Sequence, residues 1–157
     1  MDGDLDLIAI ESDGSEQFYC YLNNSNESEI EFSIAYTYSQ DDGSSSRTLA
    51  IVDFDNDGDQ DVFVPRKEGK NWLFVNQTLT FDGFNYNYNE NPENLFLEMS
   101  EEFGIDDQNI ISSGSTGYGA AWADYDNDND FDLYLTNWGR NRLFKNNNHS
   151  FENVGAN

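Results

Sequence analysis

Apolar positions along the chain come in short runs, and three of these runs open directly behind a cluster of alternating acidic residues. They lie at residues 7–10, 62–64 and 133–135. A polar turn carrying Gly14, Gly69 or Gly139 follows each run, and then a second run with a shared pattern: Cys20-Tyr-Leu-Asn-Asn24, Leu73-Phe-Val-Asn-Gln77 and Leu143-Phe-Lys-Asn-Asn147. Short segments rich in aromatic and branched residues, bounded by Gly, Asn, Asp and Ser, predict strands, and two of them across a tight polar turn predict an antiparallel hairpin. A further strand in each copy is marked by Phe32, Phe96 or Phe151, followed two or three residues on by Ile34, Met99 or Val154. The pattern predicts an all-β chain with about four antiparallel strands per unit.

Aligned on itself, the chain gives three copies, with approximate units at 1–47, 48–117 and 118–157, within a single repeat module. Equivalent acidic positions stand 55 residues apart from Asp4 to Asp59 and 71 apart from Asp59 to Asp130. The excess falls in residues 80–94, rich in Asn and Tyr, which read as an inserted loop of the kind that repeat folds carry on an exposed face. Residues 100–107, with Ser100, Glu101 and Glu102 ahead of Gly104, suit one helical turn. Met1 stands at the fourth position of the first acidic loop, and residues 151–157 also resemble the opening of another unit. Cys20 occupies the place of a leucine in the other copies, which marks it as a small core residue rather than a reactive thiol.

Charge changes the picture most. The formal net charge is −24 over 157 residues, with 31 Asp and Glu against 7 Lys and Arg. Nucleic-acid binding is excluded, because it needs clustered cations. The carboxylates concentrate at residues 2–6, 53–61 and 124–132, and five of them within nine residues repel one another unless a cation or protons offset the charge. One cysteine excludes an internal disulfide and a CxxC metal or redox site. No apolar run approaches the roughly 20 residues of a membrane helix, so membrane insertion is not expected, and no export signal precedes the first cluster.

The acidic spacing specifies the cation. In DFDNDGDQD, Asp53, Asp55 and Asp57 stand at positions 1, 3 and 5, Gly58 at 6 and Asp61 at 9, with Asp59 at 7 placed to give its backbone carbonyl. Alternate carboxylates on a tight turn wrap oxygens around one ion, and calcium takes six to eight oxygens at about 2.3–2.6 Å. Asp124, Asp126, Asp128 and Asp132 repeat the set, with Asp130 at position 7 and Asn129 in the glycine place, where Asn tolerates left-handed backbone. Asp2, Asp4 and Asp6 are what remains of the first copy. An EF-hand needs a glutamate at position 12, and here that position is Val64 or Leu135. Magnesium suits an all-protein cage poorly because it keeps its waters.

These loops and their strand context resemble the FG-GAP or VCBS repeat family, known from the calcium-binding blades of integrin α-chain β-propellers. The stretch Gly117-Tyr-Gly-Ala-Ala-Trp-Ala-Asp-Tyr-Asp-Asn-Asp, with Leu133-Tyr-Leu-Thr-Asn137 and Asn141-Arg-Leu-Phe-Lys-Asn-Asn147, is especially similar to the cartilage acidic protein and ASPIC/UnbV group of such repeats. Tyr118-Gly119 stands where that group has Phe-Gly, and the middle copy departs with Thr48-Leu49. The resemblance implies four-stranded propeller blades, structural Ca2+ on a hairpin, an extracellular or cell-surface setting, and adhesion or ligand recognition. A propeller closes with four to eight blades, and this chain supplies too few to close alone. The expectation is therefore either a piece of a longer chain or a protomer whose open edges pair, and the expected partners are a protein or glycan ligand, or identical subunits associating head to tail in a ring or filament.

Two rival readings carry less. For an enzyme, read as a piece of a catalytic propeller, the sequence offers one histidine, His149, within a polar Asn run, no GxSxG elbow, and no paired carboxylates outside the loops. For a carbohydrate-recognition module, Trp72, Trp122 and Trp138 are the stacking candidates; Trp122 reads as core and Trp138, beside Gly139, as exposed. Asn23, Asn26, Asn76 and Asn148 begin N-x-Ser/Thr triplets and are candidate glycosylation sites.

Overall fold

Residues 62–64 and 72–75 are apolar without alternation, and this is the sequence of strands covered on both faces. The computed structural model, which describes residues 5–11, 16–81, 85–89, 95–106 and 117–155, places them in the middle of a stack. Blade 1 is a three-stranded antiparallel sheet of β1 (Leu7–Glu11), β2 (Glu16–Asn23) and β3 (Phe32–Gln40). Two short strands follow, β4 (Ser45–Ser46) and β5 (Ala50–Val52).

Blade 2 has the order β11-β8-β6-β5, from β6 (Asp61–Val64), β8 (Trp72–Asn76) and β11 (Phe96–Glu98). β7 (Arg66–Lys67) pairs with β4, tying the first two blades together. Blade 3 has the order β12-β13-β14-β15, from β12 (Gly117–Ala123), β13 (Asp132–Asn137), β14 (Arg142–Asn146) and β15 (Phe151–Asn153). All ladders are antiparallel, and no helix occurs among the described residues. The architecture is all-β with propeller-like blades, none closed into a barrel.

Two hydrophobic layers hold the stack. Between blades 1 and 2 lie Phe18, Cys20, Val62, Val64, Trp72, Phe74 and Phe96; Phe18 stacks on Phe74 with centroids 4.1 Å apart. Between blades 2 and 3 lie Val52, Phe54, Phe63, Leu73, Val75, Leu133, Leu135 and Phe144. Consecutive residues of β6 and β8 thus point into different layers, which is why neither strand alternates.

Arg66 joins the first two blades through charge. Its fully buried guanidinium meets Glu16 and Ser44, donates to Asp42 at 2.7 Å, Gln40 at 3.3 Å and the Lys70 carbonyl at 3.0 Å, and lies 3.9 Å from the Trp72 ring centroid. Burial raises the Glu16 carboxyl above its usual range, while Arg66 pulls it back.

Some expectations need correction. The insertion is not a structureless loop: β9 (Leu79–Phe81) and β10 (Tyr86–Tyr88) form an antiparallel ribbon in it, as their alternating aromatic and Thr/Asn residues favour, while 82–84 and 90–94 lie outside the described residues. Residues 151–153, read as the opening of another unit, form β15, which pairs with β14 as the last strand of blade 3, while 156–157 lie outside the described residues. Met99 and Val154 fall just past their strands. The single turn expected within 100–107 is present over 100–104, where the Phe103 amide donates to the Met99 carbonyl at 3.2 Å and Gly104 ends it at a φ of 72°. Trp72 is buried and donates to Gln40, which removes it from sugar stacking.

Candidate metal centre

Each acidic loop joins the first and second strands of blade 2 or 3, and its turn is fixed by backbone amides that fold onto its own carboxylates. The position-1 aspartate accepts the amide of position 6 in both: Gly58 to Asp53 at 3.2 Å and Asn129 to Asp124 at 3.0 Å. Gly58 has a φ of 98° and Asn129 one of 73°, so Asn129 takes up the left-handed conformation that glycine holds in loop 2.

The position-9 aspartate is a structural clamp as well as a candidate ligand. Asp61 accepts the Asn76 amide at 2.9 Å and the Phe54 amide at 3.1 Å; Asp132 accepts those of Asn146 at 2.8 Å and Tyr125 at 3.0 Å. In blade 1, Asp6 accepts the Asn23 amide at 3.1 Å. The three asparagines reciprocate, giving their side-chain amides to the carbonyls of Leu5, Gln60 and Phe131 at 3.1–3.2 Å. The recurrent Asn of the second run is thus a clasp between hairpin and acidic loop.

Position 7 behaves alike in both loops. The Asp59 side chain accepts the Leu79 amide at 2.7 Å and that of Asp130 accepts the Asn148 amide at 2.8 Å, so these carboxylates hold the chain beyond the clasp.

The loops differ in what they gather. In loop 2, carboxylate oxygens of Asp53, Asp55 and Asp61 lie within 4.8 Å of one another; in loop 3 the grouped residues are Asp124, Asp126 and Asp128. Ligands on opposite sides of a calcium ion stand at most about 5 Å apart, so either group can surround one ion. The Asp57 side chain accepts the Asp59 amide at 3.1 Å. Asp2 and Asp4 lie outside the described residues, which leaves Asp6 as the only described carboxylate of the first cluster.

Electrostatics sets loop 2 apart. Burial, reinforced by neighbouring carboxylates, pushes Asp55 up to about 6, Asp59 to about 7 and Asp61 to about 8, each in spite of the backbone amides it accepts. Burial raises Asp57 too. Asp53 Oδ1 and Asp59 Oδ1 are buried with no hydrogen-bond partner. A buried carboxylate oxygen without a donor is costly, and that of Asp53, which belongs to the Asp53, Asp55 and Asp61 group, fits a divalent cation. Loop 3 is open to solvent, and Lys145 of β14 reaches into it. Its ammonium pairs with Asp126 and lies 3.3 Å from Asp128, whose carboxyl is held below its usual range, first by the Asp130 amide and then by Lys145.

The two loops are neighbours, since the Asn56 side chain donates to the Asn129 carbonyl at 3.3 Å. His149 meets buried Phe54 edge to face with ring centroids 5.8 Å apart, beside the Asp55 carboxyl. It is exposed, as its polar context implied, yet tied to loop 2. Neither Lys145 nor His149 was legible as part of the site; each sits where other copies hold a different residue type.

The other candidates are placed as follows. Asn23 and Asn76 are clasp residues whose side-chain oxygens also accept the amides of Ser25 and Thr78 at 3.0 Å, an Asx turn that itself accounts for Ser or Thr two residues on. Asn26 makes the same turn with Ser28, and Asn148 sits at a φ of 53°. Cys20 is buried, and burial, aided by Asp6, pushes its thiol up to about 11. Trp122 is half-buried against Phe54, Phe63 and Phe151. Trp138 is 72% exposed and packs beside Tyr118, over which Arg47 lies.

Comparison with curated proteins and with solved structures gives no match to either. Residues 1–64, from the first acidic cluster to the end of β6, match the FG-GAP-like repeat family, and over that stretch the chain is similar to it.

Proposed function

We propose that this chain is an extracellular calcium-stapled β-repeat module whose blades present a surface for adhesion or ligand recognition, with calcium structural rather than catalytic. Asp53, Asp55 and Asp61 hold the ion in loop 2, and Asp124, Asp126 and Asp128 hold it in loop 3. The observation that carries the reading is the buried, partnerless carboxylate oxygen of Asp53, set among carboxylates that burial drives toward protonation. An ion there offsets the repulsion and ties each loop to the hairpin behind it. No helix among the described residues is long and apolar enough to cross a membrane.

The test is thermal unfolding in millimolar calcium and in excess chelator. A folded-state ligand at 100 times its Kd stabilises by about 2.7 kcal/mol, or roughly 5–10 °C in a chain of this size. Equal melting temperatures in both conditions would remove calcium from the reading.

A second reading rests on Trp138, Tyr118 and Arg47, an exposed aromatic pair with a cation beside it. Such a surface suits the apolar face and hydroxyl edge of a sugar. A glycan array with the chain and its Trp138→Ala variant separates carbohydrate recognition from protein recognition on the same scaffold.

A further inference from the structure

The two complete loops have nearly the same sequence, yet a lysine from the strand behind reaches the carboxylates of only one of them. The second run of each unit places Leu22, Val75 or Lys145 at equivalent positions. Val75 is buried in the layer between blades 2 and 3. Lys145 turns to its own loop instead, pairing with Asp126 and standing 3.3 Å from Asp128, two of the three carboxylates grouped there. The position-1 carboxylates differ in the same sense. Asp53 Oδ1 in loop 2 has no donor, whereas Asp124 Oδ1 in loop 3 accepts the Asp128 amide at 3.1 Å. Loop 2 is arranged to receive a cation; loop 3 already contains one.

We infer that Lys145 is an internal counter-cation of loop 3 that competes with calcium for Asp126 and Asp128, so that the two loops bind the ion with unequal affinity. The inference rests on the calcium reading and adds how the second site is regulated. A divalent ion and an ammonium cannot share the same carboxylate oxygens at short range, so calcium enters loop 3 only as Lys145 swings out. Its side chain is partly exposed, so the movement needs no repacking. Loop 3 then keeps its fold without metal, while loop 2 depends on it.

Calorimetric titration with calcium chloride tests this on the full chain, on Lys145→Met, which keeps the apolar stem, and on Lys145→Gln. The wild type should show a tight and a weak class of site, the weak one lost in Asp126→Asn. Both Lys145 variants should tighten the weak class by about tenfold, the weight of an exposed ion pair or two, and leave the tight class unchanged. Melting adds a sign that plain destabilisation cannot produce: the variants should melt below wild type in chelator but not in saturating calcium. Two classes that Lys145 substitution leaves unmoved, or variants melting lower under both conditions, overturn the inference and leave the calcium reading standing. Absence of calcium binding in every form overturns both.

Discussion

Asn146 shows how a residue that looks like turn filler becomes a structural joint. Its backbone amide goes to Asp132, its side-chain amide to the Phe131 carbonyl at 3.2 Å, and its side-chain oxygen takes the His149 amide at 2.7 Å, while Asn146 itself has no solvent exposure. Asn23 makes the same joint in blade 1, but half-exposed, with the Leu5 carbonyl in reach of water. A hydrogen bond contributes about 1 kcal/mol net, and leaving a buried partner unsatisfied costs about 1–3 kcal/mol more. Asn146→Ala should therefore cost about 2–4 kcal/mol and Asn23→Ala about 1 kcal/mol or less, read from urea unfolding of each variant. Equal losses would mean that burial does not set the weight of the clasp. The recurring Asn was visible in the sequence as a pattern, but its partners are carbonyls that lie fifteen or more residues upstream, and no local rule points to them.

Loop 2 and its hairpin form an element whose stability follows its protonation. Asp55, Asp59 and Asp61 have folded-state values raised to about 6, 7 and 8 by burial, above the ordinary carboxylate value near 4. Between about pH 4 and 8 the folded chain then holds more protons than the unfolded one, and stability falls as pH rises. Protein stripped of divalent ions should melt lower at pH 8 than at pH 5, by at least about 3 °C, the shift that 1 kcal/mol gives in a chain this long. Saturating calcium should flatten or reverse the trend, because the ion replaces the protons. A metal-free melting temperature that climbs from pH 5 to 8 would count against this burial of the loop carboxylates. The acidic loops and their hairpins were legible because alternation of Asp and the switch to apolar runs are local signals. Arg66 was not: its partners Glu16, Gln40, Asp42 and Ser44 belong to another unit, and only blade stacking brings them together. The β9–β10 ribbon is masked in the sequence because the polarity of its Asn residues hides the strand preference of its aromatic ones.

Across the stack, where a blade sits decides what its repeat positions contribute. Phe32 and Phe96 mark the same strand of successive units, yet Phe96 is 4% exposed in the layer between blades 1 and 2 while Phe32 is 43% exposed on the outer side of blade 1. Leu7 and Ile34 are exposed there as well, whereas Val62, the counterpart of Leu7, is fully buried. The opposite outer surface, on blade 3, carries Tyr134, whose hydroxyl accepts the Asn141 side chain, and Lys145, so it meets water with polar groups. Burying an aromatic side chain between sheets and then truncating it costs the transfer energy and leaves a cavity. Phe96→Ala should thus cost about 3–5 kcal/mol, and Phe32→Ala less than about 1 kcal/mol, in chemical unfolding monitored by circular dichroism at low protein concentration. The comparison is between equal substitutions at equal repeat positions, so it separates the effect of the stack from that of the residue. If Phe32→Ala is as costly as Phe96→Ala, the outer face of blade 1 is covered in solution, and the cost should then diminish on dilution as that cover dissociates.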